Sequence, residues 1–340
     1  MKRIIISFLI WLLALDSILG IPVQQPQNLL QYPKIKPKAF ILNNSKLMIL
    51  EKHSLYDNFS VVVISIKYVG VVYCTSDYSI CEIRLKSSLR YPYTRFMELS
   101  SSQEFDLSQS YFLFAGVSYG YSNLVSERTT IFADHITSVK LDNKVHRTHS
   151  TKFKDYKFDN PQDLYSIKIF KLNEKLRDRA LELANIKNPN MTNSASNVLI
   201  IQDKYNFNTT FINYIQNYTK EITNKDPNYG SIAQYDRYDS EYLPALLWMS
   251  KYQFIDFERV LMINSIMAEL DPLSEEEYQD IDEKIQKNIL YGNVDIKLTE
   301  ISNACFPVIN DIINNWDLIY RDGKQFKEDD NSGLMNNNND

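Results

Sequence analysis

The residues with the chemistry to bind or react fall into a few short stretches. In FDLSQSYFLFAGVSYG (105–120) an apolar run leads into Gly116 and Gly120, with Ser118 between them. Glycines permit close backbone approach, and successive N–H groups can then face an anion or a sugar hydroxyl. The same pair also suits a tight structural turn, and spacing alone does not separate the two. Gln202 and Asp203 close the run NVLII, and Asn264 and Ser265 close RVLMI. Each pair offers hydrogen-bonding groups, although strand ends are polar in most proteins. QYDRYDSEY (234–242) sets Asp236, Arg237 and Asp239 among tyrosines just before a helical pattern. Carboxylates accept from ribose hydroxyls and aromatic rings stack on bases. Acidic residues at a helix start equally complement its dipole.

Nucleophilic and metal chemistry find no pattern. His53, His135, His146 and His149 show no triad spacing, and neither GxSxG nor HExxH occurs. Cys74 and Cys81 flank TSDYSI, a loop of a size that closes as a disulfide if the Cβ vectors meet. Cys305 is left over and reads as a buried thiol acting as a small hydrophobe. No histidine lies near the cysteines at ligand spacing, so neither a metal nor a cofactor is expected.

Strands and helices must position these groups. AFILN (39–43), VVVISI (61–66), YFLFAG (111–116), TTIFA (129–133), NVLIIQ (197–202) and RVLMIN (259–264) are short, β-branched apolar runs. Their length and composition predict strands, several buried on both faces. HITSVKLD (135–142) alternates like a half-exposed strand. Helical spacing is read over 164–186, started by Asn160-Pro161, and over 211–222, 242–255, 274–290 and 305–323. Ser274 with Glu277 is a capping box, and Gly323 is a stop signal. Strand alternating with helix predicts an α/β sheet covered by helices on both faces. In such sheets ligands sit outside the strands' carboxyl ends, where the polar pairs lie.

The chain has 340 residues, 44% of them hydrophobic, enough for a sizeable core. No repeat occurs, and no linker inside 38–323 forces two domains. A net charge of −5 gives nucleic acid no electrostatic support as a partner. Lys2 and Arg3, the apolar run 4–15 and Gly20 before Ile21-Pro22 make a signal segment over 1–20, cleaved or kept as an anchor. The run is shorter than the roughly 20 residues of a membrane span, which favours cleavage. Residues 21–37, rich in Pro and Gln, form an extended lead-in, and the Asn-rich, charged tail 324–340 is expected to be disordered. Sequons begin at Asn43, Asn58, Asn190, Asn208 and Asn217, which in an exported chain mark exposed loops or helix faces.

PKAFILN, YCTSDYSICE, FDLSQSYFLFAGVS, ERTTIFADHITSVKL, IDFERVLMIN and VINDIINNWDLIYRDG, in that order, resemble the fungal purine nucleoside permease family. The resemblance runs from about Pro37 to Gly323. It implies a nucleoside phosphorylase-like fold, a single-domain α/β sandwich around a twisted mixed central sheet flanked by helices. It also implies an exported protein assigned to purine nucleoside uptake, with the segment after Ala115 at the ligand cleft.

The chain departs from the family's pattern at polar positions. Glu82 is followed by IRLKSSLRY where relatives carry a Gly- and Glu-rich stretch. Alignment through Leu243, Ala245 and Leu246 leaves Asp239 but loses the carboxylate before it. Ala268 falls where relatives place an aspartate, with Glu269 one residue on. In phosphorylase-like folds that aspartate would handle the purine proton. The resemblance therefore implies a nucleoside binder for adenosine or guanosine, with contacts at Gly116, Ser118, Gln202, Asp203 and Asp239, no catalytic residues, and a possible membrane transport partner. It would act outside the cell, in the wall or on the outer face of the plasma membrane. Two other readings stand beside it: an extracellular nucleoside hydrolase or phosphorylase, with Asp239 on the ribose, Glu269 as acid and phosphate at Arg84 and Lys86, or a cell-surface interaction protein on a non-catalytic fold.

Overall fold

A computed structural model of the chain describes residues 33–43, 62–66, 69–84, 92–120, 125–126, 129–141, 165–201, 209–225, 229–234, 242–269, 294–327 and 333–335. In chain order the strands are β1 (Ala39–Asn43), β2 (Val62–Ile66), β3 (Gly70–Cys74), β4 (Ile80–Arg84), β5 (Tyr111–Gly120), β6 (Thr129–Leu141), β7 (Tyr165–Lys171), β8 (Thr192–Ile201), β9 (Tyr229–Gln234), β10 (Val260–Glu269) and β11 (Gly333–Leu334). The helices are α1 (Pro92–Ser101), α2 (Glu174–Lys187), α3 (Thr209–Thr223), α4 (Tyr242–Lys251) and α5 (Val294–Asn314).

All the strands join one mixed sheet, with helices packed on it. β4, β1, β5 and β10 lie side by side and parallel. β2 and β3 extend one edge as antiparallel strands. On the other side β10 pairs antiparallel with β6, β6 parallel with β8, β8 parallel with β9, and β9 returns to β5 through Tyr119 and Ile232. The order β5-β10-β6-β8-β9-β5 is a closed ring, so these five strands curl into a barrel and the rest form an open wing. A register shift between Ala133 and Ile136 lets the long β6 serve both parts, because β7 pairs only from His135 onward.

β1 shows how the centre is built. All five residues are buried, and alternation sends them to two different cores. Phe40 and Leu42 join Phe112, Phe114 and the apolar sides of α1 and α4. Ala39 and Ile41 join Tyr111, Leu113, Leu261, Ile263 and α5. A strand buried on both faces needs an unbroken apolar run, and AFIL supplies it.

Four expectations are corrected. The helix expected over 164–186 is β7 followed by α2: Ile167 and Ile169 alternate inward, and Asn173 starts the helix by accepting from the Leu176 N–H at 2.9 Å. TTIFA and HITSVKLD are one strand. The C-terminal helix starts earlier than Cys305 and runs through Pro307, and a π turn at Trp316–Tyr320 follows it before Gly323 turns left-handed with φ +61. The tail is ordered in part: Phe326 is buried against Tyr111 and Tyr320, and Gly333–Leu334 pair with β7. Before the sheet, Ile35 already bridges Phe105. The N-terminal segment 1–32, the helix expected over 274–290, and Asn58 and Asn208 lie outside the described residues. Among those described, no helix is long and apolar enough to cross a membrane.

Candidate functional site

β1 and β4 end level with Ala115, midway along β5, and register fixes which side chains share a face. Asn43 stands beside Arg84 and Ala115, and Gly116 beside Asn264. Gly116, Ser118 and Asn264 fall on the face covered by α1 and α4. Ser118 is 2% exposed and Asn264 4%. Asn43, Glu82 and Ser265 point the other way, toward α5. Asn43 donates from Nδ2 to Glu82 Oε1 at 2.5 Å, and Ser265 Oγ donates to Glu300 Oε2 at 3.1 Å. The polar residues at the end of β1 and along β4, β5 and β10 therefore form two groups, one on each side of the sheet.

The 116–120 stretch is neither a turn nor a loop. β5 continues through Gly120 because β10 runs parallel to it from Phe112 to Gly120 and holds it extended. On the other edge β1 ends opposite Ala115, and β9 meets β5 at Tyr119. Gly120 answers to packing: a Cβ there would lie 2.5 Å from Val125 Cγ2 and 2.7 Å from Ile266 Cγ2. Ala268 and Glu269 pair with Tyr119 and Gly120, just past a register shift in β10.

The other sequence candidates are placed less fully. Gln202 and Asp203 follow the last residue of β8 and lie outside the described residues, as does Asp239, three residues before α4. Among the described residues no group of three or more His, Cys, Asp or Glu side chains could hold a metal. His135 is buried on β6, and burial pushes its pKa down to about 4, with Lys225 and Lys171 acting in the same sense. Cys74 and Cys81 face each other across the β3–β4 hairpin and form a disulfide. Cys305 is a buried free thiol, its pKa raised by burial and by Glu82.

Asn43 needs a correction as a glycosylation candidate. It is fully buried, and its amide is committed to Glu82, so no glycan fits there. Asn190 and Asn217 are exposed.

Sequence reasoning missed the Asn43–Glu82 pair as a unit. Its signal was available in ICEIR, where Glu82 takes an alternation position shared with the buried Ile80. Arg95, also buried, gave no such signal, since α1 was not read as a helix.

A family model described as purine nucleoside permease matches residues 36–210 and 199–325. A purine nucleoside permease of Candida albicans is 26% identical over 329 residues, covering 86% of this chain and 78% of the relative. Among solved structures, futalosine hydrolase of Helicobacter pylori is similar at TM-score 0.48 and 13% identity, covering 81% of this chain and 98% of that one. Uridine phosphorylase of Schistosoma mansoni is similar at TM-score 0.49 and 8% identity, covering 84% and 89%. On the family match, which spans 36–325, this chain belongs to the purine nucleoside permease family.

Proposed function

We propose that this chain is an exported nucleoside-binding protein that takes part in purine nucleoside uptake and leaves the nucleoside chemically unchanged. The observation that carries the reading is the family match over 36–325, together with a relative named for purine nucleoside permease over 86% of this chain. The ligand lies at the carboxyl ends of the parallel strands, on the face shared by Gly116, Ser118 and α4. Gln202, Asp203 and Asp239 complete the contacts from the segments that follow β8 and precede α4. Adenosine or guanosine is the ligand, and a membrane transport partner receives it at the outer face of the cell. Retention of Asp239, with alanine rather than aspartate at 268, supports binding of the ribose without a proton donor for the base.

The test is a thermal melt of the purified chain with and without millimolar adenosine, guanosine or uridine, each sample then assayed for free base. A ligand that prefers the native state raises its stability by mass action, so purines are expected to raise Tm and release no base. Asp239→Asn should weaken that shift. Free base in the assay would replace this reading with a nucleoside hydrolase or phosphorylase. Neither signal would leave a surface interaction protein.

A further inference from the structure

β7 stands at the end of the sheet order, and among the described residues the only strand outside it is β11. That cover is slight. Gly333 pairs with Lys171 and Leu334 with Phe170, and the Met335 N–H donates to the Ile169 carbonyl at 2.9 Å. One side chain anchors it: Phe326 is buried, with ring centres 6.4 Å from Tyr111 and 5.3 Å from Tyr320. Its neighbours Lys324, Gln325 and Lys327 are exposed, and so is Leu334. Asn173 Nδ2 donates to Phe326 O at 2.6 Å and Lys175 Nζ to Lys327 O at 2.5 Å. A terminal segment with one buried anchor and few backbone bonds opens at a small fraction of the free energy of global unfolding.

Opening uncovers a row of backbone groups. Residues of an antiparallel strand bond alternately to one neighbour and the other. Ile169, whose carbonyl is taken by Met335, faces away from β6, and Ile167 and Lys171 therefore do so too. An uncovered strand edge of this kind accepts another strand. A second copy meets it without charge conflict. Two-fold antiparallel pairing centred on Ile169 sets Lys168 against Phe170 and Ile167 against Lys171, so no lysine faces a lysine.

We propose that residues 324–335 form a strap that shields a self-pairing edge, and that a chain whose strap has let go joins a second copy through β7. The inference is independent of nucleoside binding, since none of the proposed nucleoside contacts takes part in it.

Light scattering over a range of concentrations tests it on three full-length chains: the native one, Met335→Pro and Phe326→Ala. Proline removes the N–H that bonds Ile169, and Met335 itself is only half-buried, so the core is left intact. Phe326→Ala removes the anchor. Both variants are expected to approach twice the native mass as concentration rises, Phe326→Ala at the lower concentration. An excess of a synthetic peptide of residues 324–340 should return them to the native mass, because it refills the edge. Met335→Pro carries the test alone if Phe326→Ala fails to fold. Native mass in every folded variant would overturn the proposal. A doubled mass that the peptide leaves unchanged would overturn it equally, since the copies would then meet elsewhere.

Discussion

The guanidinium carbon of Arg259 lies 5.0 Å from the centre of the Tyr111 ring. Both side chains are buried, and together they tie the start of β5 to the chain that follows α5. Arg259 Nη1 donates to Gln109 O at 2.6 Å and Tyr320 O at 3.2 Å, and Nη2 donates to Arg321 O at 2.8 Å. Tyr111 Oη donates to the same Tyr320 oxygen at 2.9 Å. Gly323 fits against this arrangement, since a Cβ there would stand 3.2 Å from Arg259 Nη2.

Replacing Arg259 by Met should leave three buried or partly buried carbonyls short of donors and cost about 3 kcal/mol. Arg259→Lys should recover only part of that, because an ammonium cannot reproduce the planar fork. Urea unfolding of both variants checks this, and equal stability of Arg259→Met and the native chain would show that the clasp contributes nothing.

What could be read from the sequence follows from burial geometry. β1, the apolar half of β5 and β10 were legible because central parallel strands are buried on both faces and show unbroken apolar runs. β7 was misread because Ile167, Phe170 and Leu172 mimic helical spacing, while the pairing that makes it a strand comes from β6, distant in sequence. β9, YGSIAQ, has one large aliphatic residue and announces nothing. At the site, local signals read the strand as ending at Gly116 with a turn after it, whereas β5 runs on through Ser118 to Gly120. Which face each polar group takes depends on register with β10, and the need for Gly120 arises from Ile266, far away in the chain.

The Asn43–Glu82 bond is of that long-range kind, since its partners are 39 residues apart in sequence. Asn43→Ala should take a donor from a buried carboxyl group and cost about 2 kcal/mol. Glycopeptide mapping of chain expressed through a secretory pathway offers a second measurement, in which Asn43 should be unmodified while exposed Asn190 and Asn217 are open to transfer. A glycan on Asn43 would mean that the β1–β4 end forms differently.

His135 gives the fold a dependence on acid. Burial is the main cause of its pKa of about 4, against an ordinary 6.5; Lys225 and Lys171 add to the shift, while Glu174 and the Asn197 side chain oppose it. Between those two values the unfolded chain binds a proton that the folded chain refuses, so the unfolded state carries more protons and stability rises with pH. The contribution is complete above about pH 6.5 and is lost as pH falls toward 4. A shift of that size corresponds to something on the order of 3 kcal/mol. Urea midpoints measured across this window should fall with acid more steeply for the native chain than for His135→Gln, which has no imidazole to charge. Parallel curves for the two would show that His135 titrates alike in both states and that other groups set the acid limit.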